Sequence, residues 1–526
     1  MRLTSGVGTV KLLSPPLLFA SLSILPCLIA AGGHDSASRP TLIDSSARSN
    51  AFAEQDPAAD KQATRPNILF AIADDWGYPH ASAYGDPVVR TPTFDKVATE
   101  GVLFQHAYVS SPSCTPSRAA IVTGQYHWRL KESANLHSTL RAEIPVYTDL
   151  LEDAGYHVGH SRKGWGPGRH QVGGRDNNPA GDRYKDLDEF MSKRPPDAPF
   201  CYWFGSYDPH RTYTAGSGAA SGMQLDDIDI FACFPDSPEV RGDVADYYFE
   251  VQRFDREVGE IIESLRESGQ LQNTLVVITG DHGMPFPRCK ANLYDTGTRV
   301  PLAMMWPAGI PSARGIQDFV SLTDLAPTFL ELAGIEAPVA MTGRSLLSSL
   351  TSEASGSIGS ERDHVLFGKE RHTPCQEAPD MGGYPCRAIR TADHLYIYNW
   401  TPDRWPSGTP NHERATKRGG WFSDTDNGPT KQYLFDHRDD PLVGPLFQLS
   451  FGKRPQQELY DLRADPEQLH NIADDPKHAR TMDALHEQLM QELKASGDPR
   501  TTGDGRELES YPYYGGAPKW TGDASK

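Results

Sequence analysis

The chain has 526 residues, 38% of them hydrophobic, and a formal net charge of −18. The composition is that of an ordinary folded globular protein and excludes a mostly disordered chain. The acidic balance argues against a nucleic-acid binder, and it means that an anionic substrate must be met by a local cationic cluster or a metal. The length allows two to four average domains, although a large α/β domain absorbs this many residues alone.

Residues 1–33 read as a secretory signal. Arg2 and Lys11 supply positive charge, Leu12 to Ala31 are mostly apolar, and Ala30-Ala31-Gly32 follows. The stretch is broken by Pro15, Pro16 and Pro26 and is short for a membrane span. Cys27 directly after Pro26 fits a lipoprotein anchor poorly. Residues 34–65 lack periodicity and read as a disordered lead-in. No other segment is apolar enough to span a bilayer, so the mature chain is expected to be exported, to a periplasmic, secreted or lysosome-like compartment. Disulfides are allowed there, and Cys375 with Cys386 is one plausible pair, although spacing alone fixes no connectivity.

Asn67 to Ala73 is a nearly continuous apolar run that predicts a strand buried on both faces of an α/β sheet. It runs into Asp74-Asp75-Trp76-Gly77. Asp-Asp-x-Gly is ordinary turn chemistry, but carboxylates at the C-terminal end of a buried strand stand where α/β enzymes bind ligands. A helix Thr93 to Glu100 and a strand Val102 to Tyr108 lead to Ser113-Cys114-Thr115-Pro116-Ser117-Arg118. Pro116 suits a first helical turn and Gly124 suits the end. Cys114 then sits at a helix N-terminus, where free N–H groups favour an anion, with Arg118 one turn on.

A helix Asp149 to Ala154 is followed by a strand Tyr156 to His160 and by Arg162-Lys163-Gly164-Trp165. A strand Pro199 to Ser206 is followed by Asp208-Pro209-His210-Arg211. A long helix opens at Ser237-Pro238-Glu239 and closes at Gly269. The strand Leu275 to Thr279 runs into Gly280-Asp281-His282-Gly283, and Lys290 lies shortly beyond. Strand Leu302 to Trp306 and helix Asp324 to Ala333 continue the alternation. After the Ser/Gly-rich stretch 348–361 the texture changes to short aromatic strands (His364 to Phe367, His394 to Trp400) and a helix Lys477 to Ala495.

Asp74, Asp75 and Asp281 in one pocket repel one another unless a cation neutralises them. The oxygen-rich set, with His282, points to Ca²⁺ or Mg²⁺ rather than zinc. Arg118, Lys163, His210 and Lys290 are the matching groups for an anion and its leaving group, with His210 the candidate acid because histidine is the side-chain type suited to proton transfer near neutral pH.

Together these segments resemble the type I sulfatases of the alkaline phosphatase superfamily. The resemblance rests on Cys114-x-Pro116-x-Arg118 followed by Thr123-Gly124, on Arg65-Pro66-Asn67-Ile68 with Asp74-Asp75, on Thr279 to Gly283, and on Glu458 to Leu462 with Asp465-Pro466. It covers roughly residues 65–497. Within the family it looks closest to the heparan N-sulfatase (sulfamidase) branch, through Asp208 to Arg211 and Pro285 to Tyr294. The resemblance implies an alkaline phosphatase-like α/β fold: a large mixed, mostly parallel sheet sandwiched by helices over residues 66–347, a linker 348–361, and a smaller C-terminal α+β domain over 362–526 that completes the substrate pocket.

It also implies that a separate formylglycine-generating enzyme oxidises Cys114 to formylglycine. Asp74, Asp75, Asp281, His282 and residue 114 hold the metal, while Arg118, Lys163, His210 and Lys290 surround the sulfate. Hydrated, such an aldehyde carries two hydroxyls on one carbon, so the covalent intermediate has an exit that a serine ester lacks. Two departures stand out. The family's Lys-x-His is Lys163-Gly164-Trp165 here, leaving His160, His170 or Lys163 alone for that role, and residue 282 is His where Asn is frequent. Arg371 and His372, after a strand of the second domain, are candidate readers of a sulfated glycan, against the alternative of a solvated charged turn. The expected activity is hydrolysis of O- or N-sulfate on a sulfated carbohydrate. The alternatives are a phosphoester or phosphonate-ester hydrolase of the same superfamily and a non-catalytic sulfated-glycan binder.

Overall fold

Strand-forming runs that are apolar at every position can only be accommodated between two layers, and the fold shows this directly. The computed structural model of the chain describes residues 65–411, 413–416 and 424–516, all within one compact unit spanning residues 62–526. The expected signal (1–33), and the lead-in up to residue 64, lie outside the described residues. No helix among the described residues is long and apolar enough to cross a membrane.

The large sheet has eight strands: β1 (Asn67–Ala73), β2 (Val102–Tyr108), β3 (His157–Arg162), β4 (Asp182–Tyr184), β5 (Phe200–Gly205), β6 (Thr274–Gly280), β7 (Leu302–Met305) and β8 (Arg314–Ser321). Their spatial order is β4-β3-β5-β1-β6-β7-β2-β8, parallel except around β7. In β1, Ile68, Phe70 and Ile72 enter one apolar cluster while Leu69, Ala71 and Ala73 enter the other. This is the period-2 alternation of a strand buried on both faces. Helices Cys114–Thr123, Tyr147–Asp153 and Leu325–Leu332 cover the first face. Helices Pro92–Glu100, Leu187–Lys193 and Pro238–Glu267 cover the second. The 30-residue helix begins as expected, with the Ser237 side chain accepting a hydrogen bond from the Val240 N–H and proline in the first turn.

A smaller antiparallel sheet follows, made of β9 (His364–Lys369), β10 (Cys386–Thr391), β11 (His394–Asn399) and β12 (Gln457–Asp461), in the order β12-β11-β10-β9. Helix Ala479–Ala495 packs Leu485, Leu489 and Leu493 on it beside Leu366, Ile389 and Tyr396. The architecture is thus a large mixed, mostly parallel sheet flanked by helices with a smaller C-terminal sheet and helices. The Ser/Gly-rich stretch is packed: Leu347–Thr351 is helical, and the backbone N–H groups of Ile358 and Gly359 donate to Asp318. Cys375 and Cys386 do not form the expected pair; both are buried free thiols.

The parallel strands end in register. Arg162 of β3 faces Gly205 of β5, Gly205 faces Ile72 of β1, and Ala73 faces Gly280 of β6. Lys163, the 206–211 loop, Asp74-Asp75 and Asp281-His282 therefore emerge side by side at one sheet edge. That edge is where open α/β sheets place ligands. The strand carrying Cys114 at its far end, β2, is not a neighbour of β1 or β6, since β7 intervenes. The Asp74-Asp75 and Asp281-His282 pairs come from β1 and β6, which lie side by side, and the Cys114 turn reaches over to them.

Candidate active site

Cys114 is the first residue of helix Cys114–Thr123, and Gly124 ends it in the left-handed region at φ 62°. Ser113, the residue before the helix, makes no cap; its hydroxyl pairs with His372 Nδ1 at 2.8 Å. The first-turn N–H groups are left for another acceptor, which is the anion-binding property of a helix start. The helix is latched in place by Ser117, whose hydroxyl donates to the Asp281 carbonyl, and by Thr115, which donates to the Pro167 carbonyl, both at 2.5 Å.

Around Cys114 the strand ends converge. Its sulfur lies 3.6 Å from Asp74 Oδ1 and 3.2 Å from His282 Nε2. The ligand atoms of Asp74, Cys114, Asp281 and His282, all buried, lie within 4.8 Å of one another. Asp75 stands beside them with φ 75°, a strained setting for a residue with a side chain, of the kind that collects at functional sites. Its N–H donates to Asp281 Oδ1 at 2.9 Å and its Oδ1 lies 3.2 Å from His282 Nε2.

Three cationic side chains answer these carboxylates. Arg118 Nε donates to Asp281 Oδ2 at 2.8 Å with both side chains fully buried. Lys163 Nζ meets Asp74 Oδ1 at 2.5 Å. Lys290 Nζ meets Asp75 Oδ2 at 2.8 Å and Asp426 Oδ2 at 2.9 Å. Burial disfavours the Lys163 charge, but Asp74 outweighs it and the ammonium is held above its ordinary range. Lys290 behaves likewise through Asp426 and Asp75. Asp281 lies well below the carboxylate range, because His282, Arg118 and Lys163 together overcome its burial. The close approach of β3 and β5 that delivers Lys163 depends on Gly205: a Cβ there would sit 1.7 Å from the Lys163 carbonyl oxygen.

Two atoms test whether the set fits a divalent cation and an anion. Asp75 Oδ1 and Arg118 Nη2 are buried without a hydrogen-bond partner. An uncompensated buried carboxylate oxygen beside an imidazole nitrogen asks for a cation between them. An uncompensated guanidinium N–H asks for an anion. The His282 ring supports the first. Its Nδ1 faces the Gly283 carbonyl at 3.0 Å and so carries the hydrogen, leaving Nε2 to a second proton or to a metal. The donor set fits a metal held by Asp74, Asp75, Asp281, His282 and residue 114. Burial also pushes the Cys114 thiol above its ordinary range despite Lys163 and Lys290.

Asp74, Cys114, Lys163 and Lys290 form the floor of a cavity of about 1080 Å³. One wall carries His160, Arg162, Gly164 to Pro167 and Arg183, and the loop Tyr207 to Thr212 closes one end. His210 Nδ1 is bonded to the Arg211 carbonyl at 2.6 Å, so its Nε2 is the free nitrogen, 3.9 Å from Asp75 Oδ2. His160 lines the same wall, bonded through Nδ1 to the Gly181 carbonyl, and burial lowers it to about 4. His170 also borders the cavity.

The opposite wall comes from the C-terminal part: His372, Thr373, Asp426 and Tyr513. His372 is thus brought to the pocket. Arg371 is not among the cavity residues; its guanidinium donates to the carbonyls of Met381, Glu509 and Tyr511 and anchors the C-terminal segment. The two lie just past the end of β9, where the chain bends, and their side chains go to different partners: His372 to Ser113 and Arg371 to the C-terminal segment. Asp426 and Tyr513 were missed by sequence reasoning. No local pattern marks either, and each reaches the site only through tertiary packing.

The buried histidines set an acid limit on the fold. Burial lowers His80 and His160 to about 4 and His372 to about 3. Between pH 6.5 and about 4 the unfolded chain binds protons at these positions that the native chain does not. Stability must therefore fall as pH falls through that window, by roughly 1.4 kcal/mol per pH unit for each histidine. Thermal melting from pH 7.5 to 4.5 is expected to show Tm dropping steeply below 6.5; a flat profile contradicts the assignment.

Comparison with known proteins bears on this geometry. The sulfatase family model matches residues 66–335. The chain belongs to the sulfatase family. Human N-sulphoglucosamine sulphohydrolase is 28% identical over 501 residues, covering 82% of this chain and 91% of the human protein. An ulvan-active sulfatase of Formosa agariphila is 26% identical over 487 residues, covering 82% and 76%. Among solved structures, BT4656 in complex with its substrate D-glucosamine-2-N,6-O-disulfate shares the fold at TM-score 0.56 and 20% identity, covering 82% of this chain and 98% of that one. The phosphonate monoester hydrolase of Agrobacterium radiobacter shares it at TM-score 0.58 and 18% identity, covering 83% and 97%. The sulfatase is an enzyme whose buried Asp–Cys–His cluster is consistent with formylglycine- and metal-dependent hydrolysis of sulfate esters.

Proposed function

We propose that this sulfatase removes sulfate from a sulfated carbohydrate, with N-sulfated glucosamine as the leading substrate class and O-sulfated sugars as the alternative. The observation that carries the proposal is the convergence on Cys114 of a cation site and an anion site: Asp74, Asp75, Asp281 and His282 on one side, Arg118, Lys163 and Lys290 on the other. The length of chain shared with human N-sulphoglucosamine sulphohydrolase supports the N-sulfate choice.

In this reading a formylglycine-generating enzyme converts Cys114 during export of the chain, after which the signal 1–33 is removed. The carboxylates and His282 hold a divalent ion, Ca²⁺ or Mg²⁺, which supplies polarisation of a sulfate oxygen and a lowered pKa for the hydroxyl at residue 114. Arg118 Nη2, Lys163 and Lys290 orient the sulfate oxygens. His210, through Nε2, passes a proton to the leaving atom on the cavity side. His372 borders the sugar on the opposite wall, held neutral by burial. His160, held neutral by burial and lying against Gly164 on the cavity wall that also carries Lys163, takes the place of the histidine absent from Lys163-Gly164-Trp165.

The test is a panel of an aryl sulfate, an aryl phosphate, a phenyl phosphonate ester and glucosamine N-sulfate, with metal content measured on the same preparation. Sulfate release at a rate at least 100-fold above phosphate release, with about one Ca²⁺ or Mg²⁺ per chain, is expected from a tetrahedral monoanion site with this donor set. Faster hydrolysis of the phosphonate ester would transfer the protein to the alternative reading, and glycan binding without turnover of any ester would remove it from the enzymes.

A further inference from the structure

Asp426 is the one carboxylate on the C-terminal wall of the cavity among the described residues. It bridges to Lys290 Nζ at 2.9 Å. Its carboxylate, the free ring nitrogen of His210 and the Asp75 carboxylate have ligand atoms within 4.8 Å of one another. A negative charge here opposes binding of an anionic substrate. Lys290 is moreover already matched by Asp75 at 2.8 Å, so ion pairing with Lys290 does not by itself account for the second carboxylate. The neighbouring cavity carboxylate Asp208 differs: it is taken up by Arg253.

We propose that Asp426 is a specificity residue that reads the nitrogen of an N-sulfated amino sugar and holds the ammonium group formed when the S–N bond breaks. The inference rests on the proposed sulfatase function and narrows its substrate. Hydrolysis of R–NH–SO₃⁻ by water gives R–NH₃⁺ and SO₄²⁻. The S–N bond breaks with its electron pair on nitrogen, nitrogen takes one proton by way of His210 and a second from the hydrolytic water, and sulfur gains one oxygen. An O-sulfate leaves a neutral alcohol instead. A carboxylate beside the proton donor distinguishes the two, because only the first product carries a positive charge at the leaving atom. Burial opposes ionisation of Asp426, but Lys290 and His210 outweigh it and keep the carboxyl well below its usual range, so the charge is present at working pH.

The experiment compares the converted full-length enzyme with its Asp426→Asn variant on glucosamine N-sulfate and on an aryl sulfate. Inhibition by glucosamine is measured against inhibition by glucose. A charge-assisted contact to the leaving nitrogen is expected to cost the variant about 10–100-fold more in kcat/KM on the N-sulfate than on the aryl sulfate. In the wild-type protein glucosamine should inhibit at least about tenfold more strongly than glucose, a preference the variant loses. Because the inhibition ratio is read on wild-type protein, poor folding of the variant does not rescue the idea. An equal fall on both substrates, showing that Asp426 only positions Lys290, overturns the inference, and so does equal inhibition by the two sugars. Wild-type enzyme that turns over the aryl sulfate but not the N-sulfate overturns it while leaving sulfate-ester hydrolysis standing. Inactivity on both sulfates defeats the proposed function along with it.

Discussion

Replacing Cys114 by alanine is expected to abolish turnover, lowering kcat/KM by about 10⁵-fold or more, as loss of a nucleophile does when the surrounding machinery is intact. The change removes only the sulfur, from a side chain that is 2% exposed, so the fold should persist. Cys114→Ser is the sharper variant. Its hydroxyl stands beside Asp74, His282, Lys163 and Lys290 as the sulfur does, and it can displace a leaving group once. A serine sulfate has no second hydroxyl on its carbon to expel the sulfate. The variant should then release at most about one equivalent of aryl alcohol per chain and retain a sulfo group on residue 114, visible by mass. Sustained turnover by the serine variant would show that residue 114 does not work through a hydrated aldehyde.

Asp281→Ala is expected to be the most damaging single change to the metal site. Asp281 accepts from Arg118 Nε at 2.8 Å and from the Asp75 N–H at 2.9 Å, and all three groups are buried. Removing it leaves a fully buried guanidinium with only carbonyl partners and a distant Asp74, 3.6 Å from Nη2. Breaking a buried pair in this way costs about 3–5 kcal/mol. It also releases the strained Asp75 backbone and removes one proposed metal ligand. Melting, metal content and activity should all fall, with kcat/KM down at least about 1000-fold. Asp281→Asn separates the effects. It keeps an acceptor for the Asp75 N–H and the shape of the site but loses the charge. Its NH₂ then faces the Arg118 Nε donor, so it should recover only the part of the stability that the Asp75 N–H contact contributes, while metal occupancy and activity stay low. Full metal occupancy in the asparagine variant would remove Asp281 from the ligand set.

How far the sequence carries depends on whether a residue's role is set locally. The strand ends are legible because β1 and β6 are apolar at nearly every position, which makes a following Asp-Asp or Asp-His conspicuous. The Cys114 helix is legible from Pro116 and Gly124. Strands β8 and β10 are not. RGIQDFVS and CRAIRT carry charges that read as solvated, yet Arg314 is satisfied by the carbonyls of Ser349 and Leu350, and Arg387 by Asp498 and Glu370. Tertiary partners 17 to 111 residues away override the local pattern. The same reason hides Asp426 and Tyr513. It also separates His372, which reaches the pocket through Ser113, from Arg371, which turns to the C-terminal segment. The four carboxylate and imidazole groups around Cys114 come from two neighbouring strands, so their convergence follows from the parallel order β5-β1-β6 rather than from any single motif.

The most direct test of the central claim is the mass of the peptide containing Cys114, from protein matured by export in a host that supplies the converting enzyme. Conversion of the thiol to an aldehyde predicts a peptide about 18 Da lighter than the unmodified sequence, outside the ordinary ladder of cysteine oxidation. An unmodified thiol at residue 114 in mature protein that still releases sulfate would contradict the account.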